Sequence, residues 1–192
     1  MRLSSRLLAA ILMFGALVSA PAFADDYAST IESFRTALGG DFFDDAYGYA
    51  VFPTIGKGGV GIGGAHGKGR VYEQGKHVGD TKMTQLTFGL QLGGQAYSQM
   101  IFFEDKRAFD EFTSGNFEFG AQASAVAITA GASASASTGG SSAGASGGKH
   151  DATTTTAGIE YYKGMAVFTV AKGGLMYEAS IGGQKYSYKP NK

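Results

Sequence analysis

The chain has 192 residues, 31 of them glycine, no cysteine, and 16 basic against 16 acidic residues. That composition excludes disulfide staples and thiolate zinc sites, so packing alone must hold the fold together. Balanced charge also argues against the basic character that general nucleic-acid affinity requires.

At the N-terminus, Arg2 and Arg6 precede an apolar run from Leu7 to Val18, and Ala22-Phe23-Ala24 forms a small-x-small site. This is the grammar of a secretory signal peptide, cleaved between Ala24 and Asp25. The run is about a dozen residues, shorter than the roughly 20 that a membrane-spanning helix needs. Residues 25–192 are then expected to form one domain, periplasmic or secreted, with no lipoprotein cysteine to tether it. Losing Arg2 and Arg6 leaves the mature chain with about two net negative charges.

The first element is "DDYASTIESFRTALGG", where Tyr27, Ile31, Phe34 and Leu38 recur at the helical period. Ser29 and Glu32 fit a capping box, with Asp25 or Asp26 as caps for an earlier start, and Gly39-Gly40 supplies the stop. The polar face of this helix is acidic, which disfavours adsorption to anionic lipid. Next comes "AVFPTIGKGGVGIGGAHGKGR", in which Gly56, Gly58 and Gly61 spell G-x-G-x-x-G. A dinucleotide-binding turn needs a helix directly after those glycines, and here more glycine follows. At period two the stretch resolves into Gly59, Gly61, Gly63, Ala65, Gly67, Gly69 against Val60, Ile62, Gly64, His66, Lys68, Arg70. That is a strand with one bare face, against which another backbone presses.

The same habit recurs downstream. "LTFGLQLGGQAYSQMIFF" alternates until Gly94, which reads as a bulge before a strand from Gln95 to Phe103. "EDKRAFDEFTSG" reads as a short helix capped by Asp105, ended by Gly115, with Ala108, Phe109 and Phe112 inward. "FGAQASAVAITAGASASAS" alternates as a small-faced strand. From Ala130 to Ala157 the composition collapses to Gly, Ala, Ser and Thr, too little apolar surface to offset ordering. "GMAVFTVAKGGLMYEASIGGQKYSY" reads as two strands broken near Lys172-Gly173-Gly174 plus a terminal tyrosine-rich strand. The expected fold class is α+β: a curved glycine-rich antiparallel sheet, barrel-like in its curl, packed with two or three short helices.

Catalytic chemistry has no sequence support. "GASGG" around Ser146 matches a hydrolase elbow but lacks the flanking strand and helix. His66, His77 and His150 lie far apart with no metal-ligand spacing. Adjacent carboxylates at Asp25-Asp26, Asp44-Asp45 and Glu104-Asp105 fit caps and solvated turns. No enzyme, no cofactor and no metal are expected.

The runs "AYGYAVFPTIGKGGVGIGGAHGKGRVYEQG", "TFGLQLGGQAYSQMIFF", "FTSGNFEFGAQASAVA" and "YYKGMAVFTVAKGG", in that order, resemble the SYLF domain family from about Ala46 onward. The resemblance implies a phospholipid-binding module, with phosphoinositides as ligands of eukaryotic members and actin as a partner of some fungal ones. Two departures stand out: the segment Asp25 to Asp45 is acidic where eukaryotic members rely partly on a basic amphipathic segment, and the Gly/Ser tract occupies the place of a more ordinary stretch in many relatives. Phosphoinositide specificity is therefore not carried over. Actin is excluded as a partner on grounds of export.

The candidate head-group ligands are the basic edge Lys57, Lys68, Arg70, Lys76 and Lys82, flanked by Tyr72. On one strand face Lys68 and Arg70 would align with His66 and Tyr72, so phosphate would meet several donors at once. The function expected is a non-catalytic exported lipid-binding module whose partner is phospholipid or a membrane surface. Two alternatives stay open: a structural component of the envelope with a protein partner, and a carrier enclosing an apolar ligand.

Overall fold

A computed structural model of the chain describes residues 23–89, 94–121, 123, 125–128, 161–172 and 181–192. Residues 1–22 of the leader, the whole Gly/Ala/Ser/Thr tract with Ser146 and His150, and the break at Gly173-Gly174 lie outside them.

Three helices, α1 (Phe23–Leu38), α2 (Asp41–Asp45) and α3 (Lys106–Thr113), accompany seven described strands. The strands are β1 (Gly48–Glu73), β2 (Lys76–Gly89), β3 (Gln95–Phe103), β4 (Asn116–Glu118), β5 (Val126–Ile128), β6 (Met165–Lys172) and β7 (Lys185–Pro190). They form one sheet in the order β4-β7-β2-β1-β3-β6-β5, and the fold is α+β. Every pairing is antiparallel except β5 with β6, which is parallel.

The 26-residue β1 organises the sheet. Its first half pairs with β3 from Gly48 to Lys57, and its second half with β2 from Gly61 to Glu73. Between them the strand bends sharply. Gly59 sits at φ +149°, and a Cβ there would lie 2.5 Å from the Ile62 carbonyl oxygen. Only glycine fits. Past the bend, Gly63, Ala65, Gly67 and Gly69 are buried while Ile62, His66 and Lys68 are exposed. The bare face therefore turns inward, and what presses on it is the first half of the same strand. A Cβ at Gly69 would stand 2.6 Å from a ring carbon of Phe52 and 2.8 Å from the Val51 carbonyl oxygen. No helix follows Gly56, Gly58 and Gly61; β1 runs on to Glu73.

Two cores lie on opposite faces of the sheet. The inner one gathers Phe52, Ile55, Met83, Ile101, Phe103 and Tyr186, closed by Phe109 and Phe112 of α3. The outer one gathers Val51, Met100, Phe102 and Phe168 beneath Phe34 of α1 and Phe42 of α2. Strand β3 serves both, so "SQMIFF" reads as an unbroken apolar-rich run where a half-exposed strand would alternate. Helix α3 forms as its sequence requires, with the Asp105 carboxylate accepting from the Ala108 amide at 2.7 Å.

Two expectations are corrected, and one element is added. Helix α1 begins at Phe23, so Ser29 is no cap; its hydroxyl donates to the Asp26 carbonyl within the helix. The one-turn helix α2 carried no periodic signal in five residues. Among the described residues from Phe119 to Ile128 there is no single alternating strand. Three residues, Asn116–Glu118, pair with β7, and three more, Val126–Ile128, pair with β6 at the opposite edge. Between these two strands the described Gly120, Ala121, Ala123 and Ala125 bring too little side-chain surface to hold a ladder.

A polar cluster lies inside the inner core. Gln99 Nε2 donates to the Gln184 Oε1 at 3.1 Å and to the Tyr186 hydroxyl at 2.7 Å. The Tyr186 hydroxyl donates in turn to Gln184 Oε1, and Gln184 Nε2 donates to the Tyr97 hydroxyl at 3.2 Å. Burial pushes the phenol pKa of both Tyr97 and Tyr186 well above the ordinary tyrosine value near 10. The folded chain thus keeps two protons that the unfolded chain releases above about pH 10, so stability falls as pH rises through that value. Tyr186→Phe should cost about 1–3 kcal/mol at neutral pH, because two buried amides lose a partner. The same variant should lose less stability than the parent between pH 8 and pH 11. Urea midpoints at both pH values measure the difference; equal losses would mean the phenol does not ionise on unfolding.

Candidate functional site

The outward face of the β1–β2 ribbon is where the predicted ligands fall, and the register decides which of them meet. Directly opposed pairs are Gly64 with Leu86, His66 with Thr84, Lys68 with Lys82, and Arg70 with Asp80. On β2, Lys82, Thr84 and Leu86 are exposed while the alternating Thr81, Met83 and Gln85 are buried. Lys68 and Lys82 therefore project side by side into solvent, with β-carbons about 5 Å apart as in any opposed pair. Like charges placed opposite each other weaken a sheet. Neither ammonium makes an ion pair with another described residue. His66 extends this face toward the bend.

The other candidates are placed differently. The Arg70 guanidinium lies 4.2 Å from the ring centroid of Tyr27, so it holds α1 against the ribbon by a cation–π contact. Burial raises the Tyr27 pKa, an effect that Arg70 partly offsets. Tyr72 is half-buried and stacks on Tyr49 at 4.9 Å with rings 16° apart. Lys76 faces Glu73 beside the Gln74-Gly75 turn. Lys57 faces Gln95 on the half of β1 that pairs with β3, so the register does not bring it to Lys82. Of the six residues singled out, the fold makes one exposed pair of two, flanked by Arg70.

Two apolar residues belong to the same face and were not singled out. Ile62 is 68% exposed and Leu86 is 75% exposed, both near the bent end of the ribbon. Ile62 already stood in the same alternate set as His66 and Lys68. Leu86 could be placed beside it only once the β1–β2 register was known.

Elsewhere, a cleft of about 560 Å³ lies between α2 and the β1–β2 turn, lined in part by Asp44, Asp45, Tyr47 and Gln74. Its carboxylates repel anions. The Tyr47 hydroxyl beside it donates to the Glu73 carboxylate at 2.5 Å, and that bond raises the Tyr47 pKa. Among the described residues no three His, Asp or Glu side chains gather as a metal site. Among them also, no helix is long and apolar enough to cross a membrane.

A curled α+β sheet with a bent glycine-rich strand and a cationic outer ribbon defines the class of domain. Residues 84–191 match the family model described as Las17-binding protein actin regulator, the SYLF or Ysc84 family. The chain belongs to that family. It is also 34% identical over 148 residues to Beta cell expansion factor A of Aeromonas veronii, covering 75% of this chain and 46% of that protein. The chain thus spans about half the length of this relative.

Proposed function

We propose that this protein is an exported, non-catalytic lipid-binding module that meets anionic phospholipid head groups with the outer face of the β1–β2 ribbon. The observation that carries the proposal is the exposed pair of Lys68 and Lys82 set directly opposite each other. A phosphodiester can accept from both ammonium groups at once, which relieves a repulsion that the bare fold retains. Family membership favours the same reading, since SYLF domains are in general lipid-binding or actin-linked. Export, inferred from the leader sequence, separates this member from actin and leaves the membrane surface.

The bulk of the domain is nearly neutral, so attraction must be local and salt-sensitive. Near an anionic surface each lysine adds about 1 kcal/mol. Lys68→Gln together with Lys82→Gln is therefore expected to weaken co-sedimentation with phosphatidylglycerol vesicles roughly thirty-fold at low salt. Phosphatidylcholine vesicles should bind poorly throughout. Equal binding by parent and double variant across a salt series would remove the lysine pair from the site. A soluble protein partner captured in one-to-one ratio, without vesicle binding, would favour the envelope-component alternative.

A further inference from the structure

We infer that the bent end of the β1–β2 ribbon is an insertion tip: Ile62 and Leu86 enter the acyl–head-group boundary of an anionic bilayer while Lys68 and Lys82 hold the phosphates. This rests on the lipid-binding reading and adds to it a depth, an orientation and two apolar residues.

Three observations converge. Ile62 and Leu86 are the two most exposed large apolar residues among those described, and both sit on one face near one end of one ribbon. Gly64 lies opposite Leu86 and carries no side chain, so nothing at that register position screens the leucine from whatever approaches. The polarity of the face is graded. It runs from Ile62 and Leu86 through His66 and Thr84 to the Lys68–Lys82 pair, and a carboxylate, Asp80, first appears beyond them opposite Arg70. A patch for another soluble protein has no need of that order; a boundary between hydrocarbon and phosphate does.

The dimensions set the approach. Leu86 and Lys82 are four residues apart, about 13 Å along a strand at 3.3 Å per residue. One interfacial layer of a bilayer is about 5–8 Å thick. A ribbon standing upright would leave the lysines above the phosphates, whereas an oblique one brings them down while the tip stays buried. Lysine stems reach along the surface and close the remaining gap. Helix α1 meets the same outward face one register step beyond the lysine pair, through Tyr27 over Arg70, so the end with Ile62 and Leu86 is the part of the ribbon left for a bilayer.

The chain contains no tryptophan, so Leu86→Trp installs a single reporter at the tip. Added to vesicles of phosphatidylglycerol and phosphatidylcholine in equal parts, this variant should shift its emission to the blue. Lipids brominated near the head-group end of the acyl chain should quench it. Glu118→Trp, on the β4 edge, should do neither while co-sedimenting equally well. Ile62→Ser with Leu86→Ser should weaken vesicle binding at least roughly ten-fold. Co-sedimentation without a blue shift or quenching would keep the lysine surface and overturn insertion. Failure to co-sediment at all would overturn both. Emission already blue-shifted without lipid would mean that the tip is covered by the chain itself or by a second copy, and would also overturn insertion.

Discussion

Gly69→Val should cost about 4 kcal/mol or more, enough to unfold a domain of ordinary stability at moderate temperature. The reason is space, not backbone conformation. A β-carbon at position 69 would stand 2.6 Å from Phe52 Cε1 and 2.8 Å from the Val51 carbonyl oxygen. Neither neighbour can yield cheaply. Phe52 is fully buried and packs edge-on against Tyr186 at 5.6 Å, and the carbonyl belongs to the strand that makes the fold. Overpacking a well-filled core by one or two methyl groups costs about 1–3 kcal/mol, and here the backbone itself must separate. Gly56→Val is the control. It lies on the same strand, is exposed, and a β-carbon there meets nothing within 4 Å. Valine favours strands over glycine, so that variant should be neutral or slightly stabilised. Urea unfolding followed by circular dichroism separates the two; equal midpoints would show that the two halves of β1 do not touch.

That contrast also marks what the sequence could disclose. The alternation of glycine with His66, Lys68 and Arg70 is local, and it reveals which face of β1 is bare. What the bare face packs against is Val51 and Phe52, and the bend that brings them there turns at Gly59, where glycine is permitted but not uniquely announced. Helix α3 was legible down to its cap, because Asp105, Phe109 and Phe112 carry their signals within eight residues. The buried amides Gln99 and Gln184 were not, since they meet across 85 positions and each looks locally like a surface residue. The candidate site shows the same limit. Lys68 and Lys82 could be named from composition, but that they oppose each other depends on register, and Arg70 was lost to Tyr27 through a helix contact with no local trace. The shift in register between Val71 and Tyr72 likewise sets Lys76 against Glu73 and away from the pair.

Phe34→Ala carries the second large effect, an expected loss of about 3–5 kcal/mol. Helix α1 has 16 residues, the first two of which, Phe23 and Ala24, belong to the inferred leader, and what remains is too short to persist alone in water, so its stability comes from the face it buries. Phe34 is the wedge of that face: it is fully buried in the outer core with Val51, Met100, Phe102 and Phe168. The remaining attachments are weaker: Tyr27, Ile31 and Leu38 are only partly buried against the outer core. Arg70 over Tyr27 at 4.2 Å and Arg35 over Phe43 at 4.4 Å are partly exposed cation–π contacts, about 0.5–1 kcal/mol each. Removing the ring therefore does more than open a cavity; it leaves α1 held by side contacts that cannot replace what was lost. A drop of roughly 10 °C in the thermal midpoint is expected for a chain of this size. Trypsin supplies a local readout, because Arg35 is the basic residue in the last turn of α1 and a docked helix resists cleavage. Cleavage after Arg35 should accelerate in Phe34→Ala well below the unfolding temperature, whereas Arg70→Ala should change it only modestly. If the ring could be removed with neither change, α1 would be a free arm, and the outer face of β3 and β6 would be open to the same membrane that the ribbon tip is proposed to enter.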